Sequence, residues 1–144
     1  MTAAIALTVA LVILRLGPYE SELQFCVDQT NEYRASLRLP ALKRSKALET
    51  YAATSAGVDA RSHVPHQYFE KTDGGGIAMA ETLIPWWHLS GYGSVREIVR
   101  RGLARMWAEG RGGGHYDIIV GRYAELGCGI YSDGTNVTVV QAFR

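Results

Sequence analysis

The chain lacks an excess of charge of either sign: 15 Lys and Arg against 14 Asp and Glu leave a net charge of +1 over 144 residues. A nucleic-acid binder neutralises phosphates with a basic stripe; here acids and bases are mixed along the chain, so no nucleic-acid partner is expected. Cysteine is nearly absent. The two present, Cys26 and Cys128, have no second Cys or His at metal-finger spacing, which argues against a structural zinc site. They could close a long loop worth roughly 2–4 kcal/mol, or remain as two buried thiols. There is no H-E-x-x-H pattern and no G-x-S-x-G elbow, so a compact metalloprotease helix and a serine-hydrolase nucleophile turn are both missing. Repeats and low-complexity tracts are absent too, and the glycine clusters at 74–76 and 112–114 are too short to be linkers.

What is present is the composition of one soluble globular domain, 47% hydrophobic and 20% charged, able to bury a core. Residues 3–14, AAIALTVALVIL, form an uncharged apolar run shorter than the roughly 20 residues of a membrane span and closer to a signal-peptide core. Residues 1–18 therefore read as a signal-peptide-like or anchor segment, a possible membrane tether, and 19–144 as the domain. No Lys or Arg precedes the run and no clear small-x-small cleavage site follows it, so a docked apolar helix or a misassigned start is the alternative.

Within the domain, Leu23, Cys26, Val27, Thr30, Tyr33 and Leu37 recur at helical steps, predicting an amphipathic helix over 20–37. Ser45 is positioned to cap a second, ending near Arg61, with Leu48, Tyr51, Ala52, Ser55, Ala56 and Asp59 along one side. Residues 62–76 read as an irregular loop, 77–84 as a short strand stopped by Pro85, and Trp86, Trp87 and His88 as a connection. Ser94 and Glu97 form a capping box for a third helix with Val95, Ile98, Val99, Gly102, Leu103, Met106 and Trp107 inward. Glu109 falls at its C-terminal end, where the helix dipole disfavours a carboxylate, so a compensating partner is expected. Two strands, 125–132 and 135–144, are joined by Asp133-Gly134, a strong hairpin signal. The glycines before His115 neither follow a strand nor open a helix, which makes a dinucleotide loop a poor fit.

Four polar residues stand at element ends or in loops: His66, Glu81, Glu109 and His115. Two imidazoles and two carboxylates can ligate a divalent ion such as zinc, or serve as acid and base in a polar cleft. Four unrelated polar residues are the alternative. His63 could replace His66, and His88 reads as an aromatic packed over a sheet edge.

Read together, these residues resemble the CAP superfamily, named for cysteine-rich secretory proteins, antigen five and pathogenesis-related one, also called the SCP domain. The resemblance covers residues 24–143. Asn31-Glu32-Tyr33-Arg34 with Leu39-Pro40-Ala41-Leu42 is similar to its first-helix signature, and Leu48, Ala52 and Ala56 to its second. Ala80-Glu81, Trp107 through Glu109, Gly114-His115-Tyr116, Leu126-Gly127-Cys128-Gly129 and Val140-Gln141-Ala142-Phe143 complete the order. The resemblance implies an α+β fold, an α-β-α sandwich of about three main helices around a small antiparallel sheet, with a cleft lined by His66, Glu81, Glu109 and His115. Thr82 stands where asparagine is usual, and the interval from Trp107 to Glu109 is one residue shorter than the commoner form. With few cysteines, the chain is similar to the compact microbial type.

Fold does not fix function; family members are linked to sterol or lipid binding, to extracellular defence or signalling, and in a few cases to proteolysis. The expectation is an extracytoplasmic, secreted or N-terminally anchored binding protein, more a binder than an enzyme. His66 and His115 would take zinc or another divalent cation, with the glutamates holding the rings. A metal-dependent hydrolase or peptidase using the same cleft is the first alternative. A lipid or sterol carrier with Trp86, Trp87 and Tyr92 as a groove wall is the second, and the ligand is a small molecule, lipid or peptide.

Overall fold

A computed structural model describes residues 17–144; the signal-peptide-like reading of 1–18 lies almost wholly outside the described residues. The sequence of elements is α1 (Glu20–Ser36), β1 (Lys43–Arg44), α2 (Lys46–Ser62), α3 (Gln67–Thr72), β2 (Ala80–His88), α4 (Val95–Ala108), α5 (Gly114–Ile119), β3 (Glu125–Ser132) and β4 (Asn136–Phe143). The strands form one sheet in the order β1-β3-β4-β2. The β2-β4 and β3-β4 pairs are antiparallel, whereas β1 adds a short parallel edge with Lys43 opposite Glu125.

Side-chain alternation along the strands builds two apolar layers. Leu126, Cys128, Val137, Val139, Ile84 and Phe143 pack with Cys26, Val27, Ile98, Val99, Leu103 and Met106 of α1 and α4. Leu83, Val140 and Ala142 pack on the other side with Leu48, Tyr51, Ala52 and Ala56 of α2. This is the expected α-β-α sandwich, with α1, α2 and α4 as its long helices.

Gly127 and Gly129 explain how closely α2 lies on β3. A Cβ built at Gly127 would sit 2.3 Å from the backbone nitrogen of Glu49, and one at Gly129 would sit 2.1 Å from that of Ala53. Any side chain there would push the helix off the sheet. Cys26 on α1 and Cys128 on β3 are joined as a disulfide across 102 residues, so the bridged alternative holds. Beside it, Gln141 donates to Thr30 Oγ1 at 2.8 Å and accepts from Thr82 Oγ1 at 2.8 Å, satisfying a fully buried amide. Thr82 is thus a core hydrogen-bonding residue.

Local chemistry accounts for the helix starts. Ser45 Oγ accepts from Leu48 N at 3.3 Å and Ser94 Oγ from Glu97 N at 3.1 Å, as N-caps do. The second half of the expected capping box is replaced: the Glu97 carboxylate binds Arg100 and Arg101, which pull its pKa down to about 2.

Four expectations need correction. Residues 62–76 hold the helix α3 and a turn, Asp73–Gly76, because Asp59 Oδ1 accepts the Tyr68 amide at 3.1 Å and organises that start. The strand does not stop at Pro85: β2 runs to His88, with a register shift between Ile84 and Trp87. Proline is tolerated there because β2 is an edge strand and the bulge interrupts the ladder. The glycines do open a helix, with Gly113 as N-cap of α5 and Gly114 its first residue. Finally, the sheet is mixed, because the two-residue β1 pairs in parallel with β3.

Candidate functional site

Each of the four candidate residues is placed by a different element, and they associate as two imidazole-carboxylate pairs. His66 precedes α3 in a left-handed backbone conformation, φ 59°, which histidine adopts more readily than most side chains. Its Nδ1 lies 2.9 Å from Glu81 Oε1. Glu81 is buried on β2, and its second oxygen accepts from Ser55 Oγ of α2 at 2.8 Å. The hydrogen bond to Glu81 raises the His66 pKa above 6.5 against the opposing effect of burial, and the charges of Glu81, Asp59 and Glu70 add to it.

The second pair answers the question posed by Glu109. His115 Nδ1 lies 2.6 Å from Glu109 Oε1, and the His115 backbone N–H donates to Oε2 at 3.1 Å. A carboxylate that would be misplaced at the end of α4 therefore sits at the N-terminus of α5, where unpaired amides favour it. The His115 ring bond, followed by its charge and backbone amide, holds the Glu109 carboxyl below the ordinary 4.5. Gly113 makes this approach possible, since a Cβ there would lie 2.4 Å from Glu109 Cβ and 2.8 Å from Oε2. What the glycine turn accommodates is thus the carboxylate that holds the ring.

A carboxylate can only accept, so each Nδ1 carries the proton, and in the neutral ring Nε2 keeps its lone pair. His66 and Glu81 line a recess of about 360 Å³ with Phe69, Met79 and Ile118. His115 and Glu109 line one of about 140 Å³ with Leu83, Trp87, Arg105 and Met106. The two recesses share no lining residue, and each borders β2, one at Glu81 and the other at Leu83. One pair is anchored from the α2 side of the sheet and the other by α4 and α5. Among the described residues, no group of three or more His, Cys, Asp and Glu side chains is placed to hold a metal ion.

His63, at the C-terminus of α2, lies instead with its ring 5.0 Å from that of Trp86. His88 does not pack over the sheet edge as expected; it is exposed at the end of β2 with Nδ1 2.8 Å from Ser90 Oγ. Trp87 and Tyr92 stack with centroids 4.8 Å apart, and Arg105 lies 4.6 Å over the Trp87 ring. Asp59 is the residue that sequence reasoning placed only in the core. It is fully buried, its Oδ2 has no partner among the described residues, and burial raises its pKa. The signal available was an aspartate on the buried face of α2, seven residues before His66.

A family model described as the cysteine-rich secretory protein family, CAP, matches residues 27–143. No curated protein matches the chain. Among solved structures, an outer surface protein from Borrelia burgdorferi is similar over 89% of this chain and 96% of its own, at 15% identity and TM-score 0.60. An extracellular SCP-domain protein from Bacillus anthracis gives 15% identity and TM-score 0.61 over 90% of this chain and 44% of its own. A cysteine-rich secretory protein from Staphylococcus aureus gives 15% and 0.55 over 91% and 41%. At that identity the likeness is one of fold.

Proposed function

The chain belongs to the cysteine-rich secretory protein family, CAP, and on that premise we propose that it is an extracytoplasmic, non-enzymatic binding protein whose ligand meets the Nε2 atoms of His66 and His115. The observation that carries this reading is the pairing of each Nδ1 with its own carboxylate, the arrangement that orients metal- or ligand-binding imidazoles. The Cys26–Cys128 disulfide supports an oxidising compartment, and the B. anthracis neighbour is itself described as extracellular.

A divalent cation such as zinc is the first ligand to test. Two imidazoles are fewer than the three protein ligands that catalytic zinc sites usually supply. The donor set therefore suits an open site completed by water or by donors of the ligand, in which a cation would anchor that ligand. Protons compete at His66, so cation binding strengthens as pH rises. The metal-dependent hydrolase alternative has less support, since Glu81 and Glu109, the carboxylates that would act as general base, are each bound to a histidine ring. A sterol carrier has less still, because the recess beside Trp87 holds about 140 Å³ where ligand pockets commonly span about 300–1,000 Å³.

Calorimetric titration with zinc tests the reading. Saturable binding of one ion per chain, lost in His115→Ala, is expected; a flat trace with the wild-type protein removes the cation. Turnover of peptide or ester substrates that disappears with chelator and in Glu81→Gln would instead establish the hydrolase.

A further inference from the structure

Away from the histidines, the C-terminal part of α1, the turn after it and the segment following α5 enclose a recess of about 490 Å³. Its lining includes Arg34, Leu39, Pro40, Val120, Arg122 and Tyr123. Arg34 is an unusual component. Only 2% of it is exposed, yet no carboxylate of the described residues lies in salt-bridge range of it. Its Nε donates to Pro40 O at 3.0 Å, and Nη1 donates to Ile119 O at 2.8 Å and Gly121 O at 2.9 Å. These carbonyls satisfy its hydrogen bonds on one side without neutralising its charge. Nη2 has no acceptor among the described residues, and it is not one of the sealed polar atoms, so it is the guanidinium nitrogen left to reach the recess.

Burying an ion without a counter-ion is costly, and here desolvation alone weakens the hold of Arg34 on its proton. A second cation stands at the same recess: Arg122 is exposed and forms no ion pair among the described residues. Two guanidinium groups and an apolar lining of Leu39, Pro40, Val120 and Tyr123 match one ligand chemistry. The geometry points to a binding site for a small organic carboxylate with a compact apolar body, the carboxylate meeting Arg34 Nη2 and Arg122 and the body lying against Leu39 and Val120. Guanidinium groups bind carboxylates with charge-assisted, often bidentate hydrogen bonds. The volume, within the ordinary range for small-molecule pockets, suits a ligand of amino-acid size.

The test is an NMR titration of the full chain with N-acetyl-leucine, its neutral amide and inorganic phosphate at matched ionic strength. Saturable shifts at the amides of Leu39, Val120 and Gly121 with the carboxylate, absent with the amide, are expected. Arg122→Gln, an exposed change that leaves the core intact, should weaken binding at least tenfold. Arg34→Lys, which retains charge but cannot span the same carbonyls and ligand, should abolish it where the fold survives. No saturable shift with the carboxylate overturns the site. Equal response to the amide overturns the role of charge, phosphate binding as tight as the carboxylate overturns the apolar body, and undiminished binding by Arg122→Gln overturns the assignment of that residue.

Discussion

Gly129→Ala is the perturbation that most directly probes how the scaffold is built. The added Cβ would lie 2.1 Å from Ala53 N, 2.2 Å from Ala52 C and 2.5 Å from Ala52 O. All three are backbone atoms of α2, which cannot rotate aside as a side chain can. To restore ordinary contact, which starts at 3.4 Å, the helix must retreat by more than an ångström along that line. The buried layer formed by Leu48, Ala52, Ala56, Leu83 and Val140 would loosen with it. Overpacking of this kind costs about 1–3 kcal/mol, and rigid helix backbone as the obstacle places this case at about 3 kcal/mol. With a urea m-value of about 2 kcal/mol/M, the unfolding midpoint should fall by about 1.5 M. Gly91→Ala is the control: nothing lies within 4 Å of its Cβ and its backbone is not left-handed, so a change within about 0.5 kcal/mol is expected. A Gly129→Ala midpoint indistinguishable from wild type would refute the close approach of α2 to β3.

Opening the disulfide should be costly, since its 102-residue separation corresponds to about 4.7 kcal/mol of loop-closure entropy; the Cys26→Ala, Cys128→Ala double variant is expected to lose most of that in urea unfolding, and an unchanged midpoint would show the bridge to be thermodynamically silent. The His66 proton is bound more tightly in the folded state, so its pair with Glu81 stabilises fully below pH 6.5 and the contribution fades as pH rises through the higher folded value. The stability lost in His66→Gln should accordingly be larger at about pH 5.5 than at about pH 9, and the opposite order contradicts the pairing. Glu109, held below 4.5, stabilises above that pH and loses its contribution as pH falls through its lower folded value. Glu109→Ala should destabilise by about 1 kcal/mol at neutral pH, as loss of an N-terminal helix acceptor does, with faster amide exchange at His115; unchanged exchange there would contradict its capping role.

The long elements were legible because periodicity and caps act locally. The α1 stripe from Leu23 through Tyr33, the caps Ser45 and Ser94, and the Asp133-Gly134 turn all read directly from neighbouring residues. The dipole conflict at Glu109 even called for a partner, which His115 supplies. The elements that were missed depend on distant residues. The short helix α3 is organised by Asp59, nine residues before Tyr68, and continuation of β2 past Pro85 depends on its edge position in the sheet. At the site, the four residues could be nominated, but their pairing could not: Glu81 reaches His66 only because β2 lies beneath α2, where Ser55 also holds it. Gly127 and Gly129 likewise look like turn residues until a helix is laid across them.

In the proposed function the two imidazoles carry their protons on Nδ1 and present bare Nε2 atoms to a shared ligand. Long-range ¹H–¹⁵N spectroscopy of the histidine rings at about pH 9, before and after zinc, tests this most directly. Protonated Nδ1 and lone-pair Nε2 are expected in both His66 and His115, with both Nε2 signals moving together at one zinc per chain. An Nε2-protonated ring at either position, or Nε2 signals that ignore zinc or respond at different stoichiometries, would contradict it.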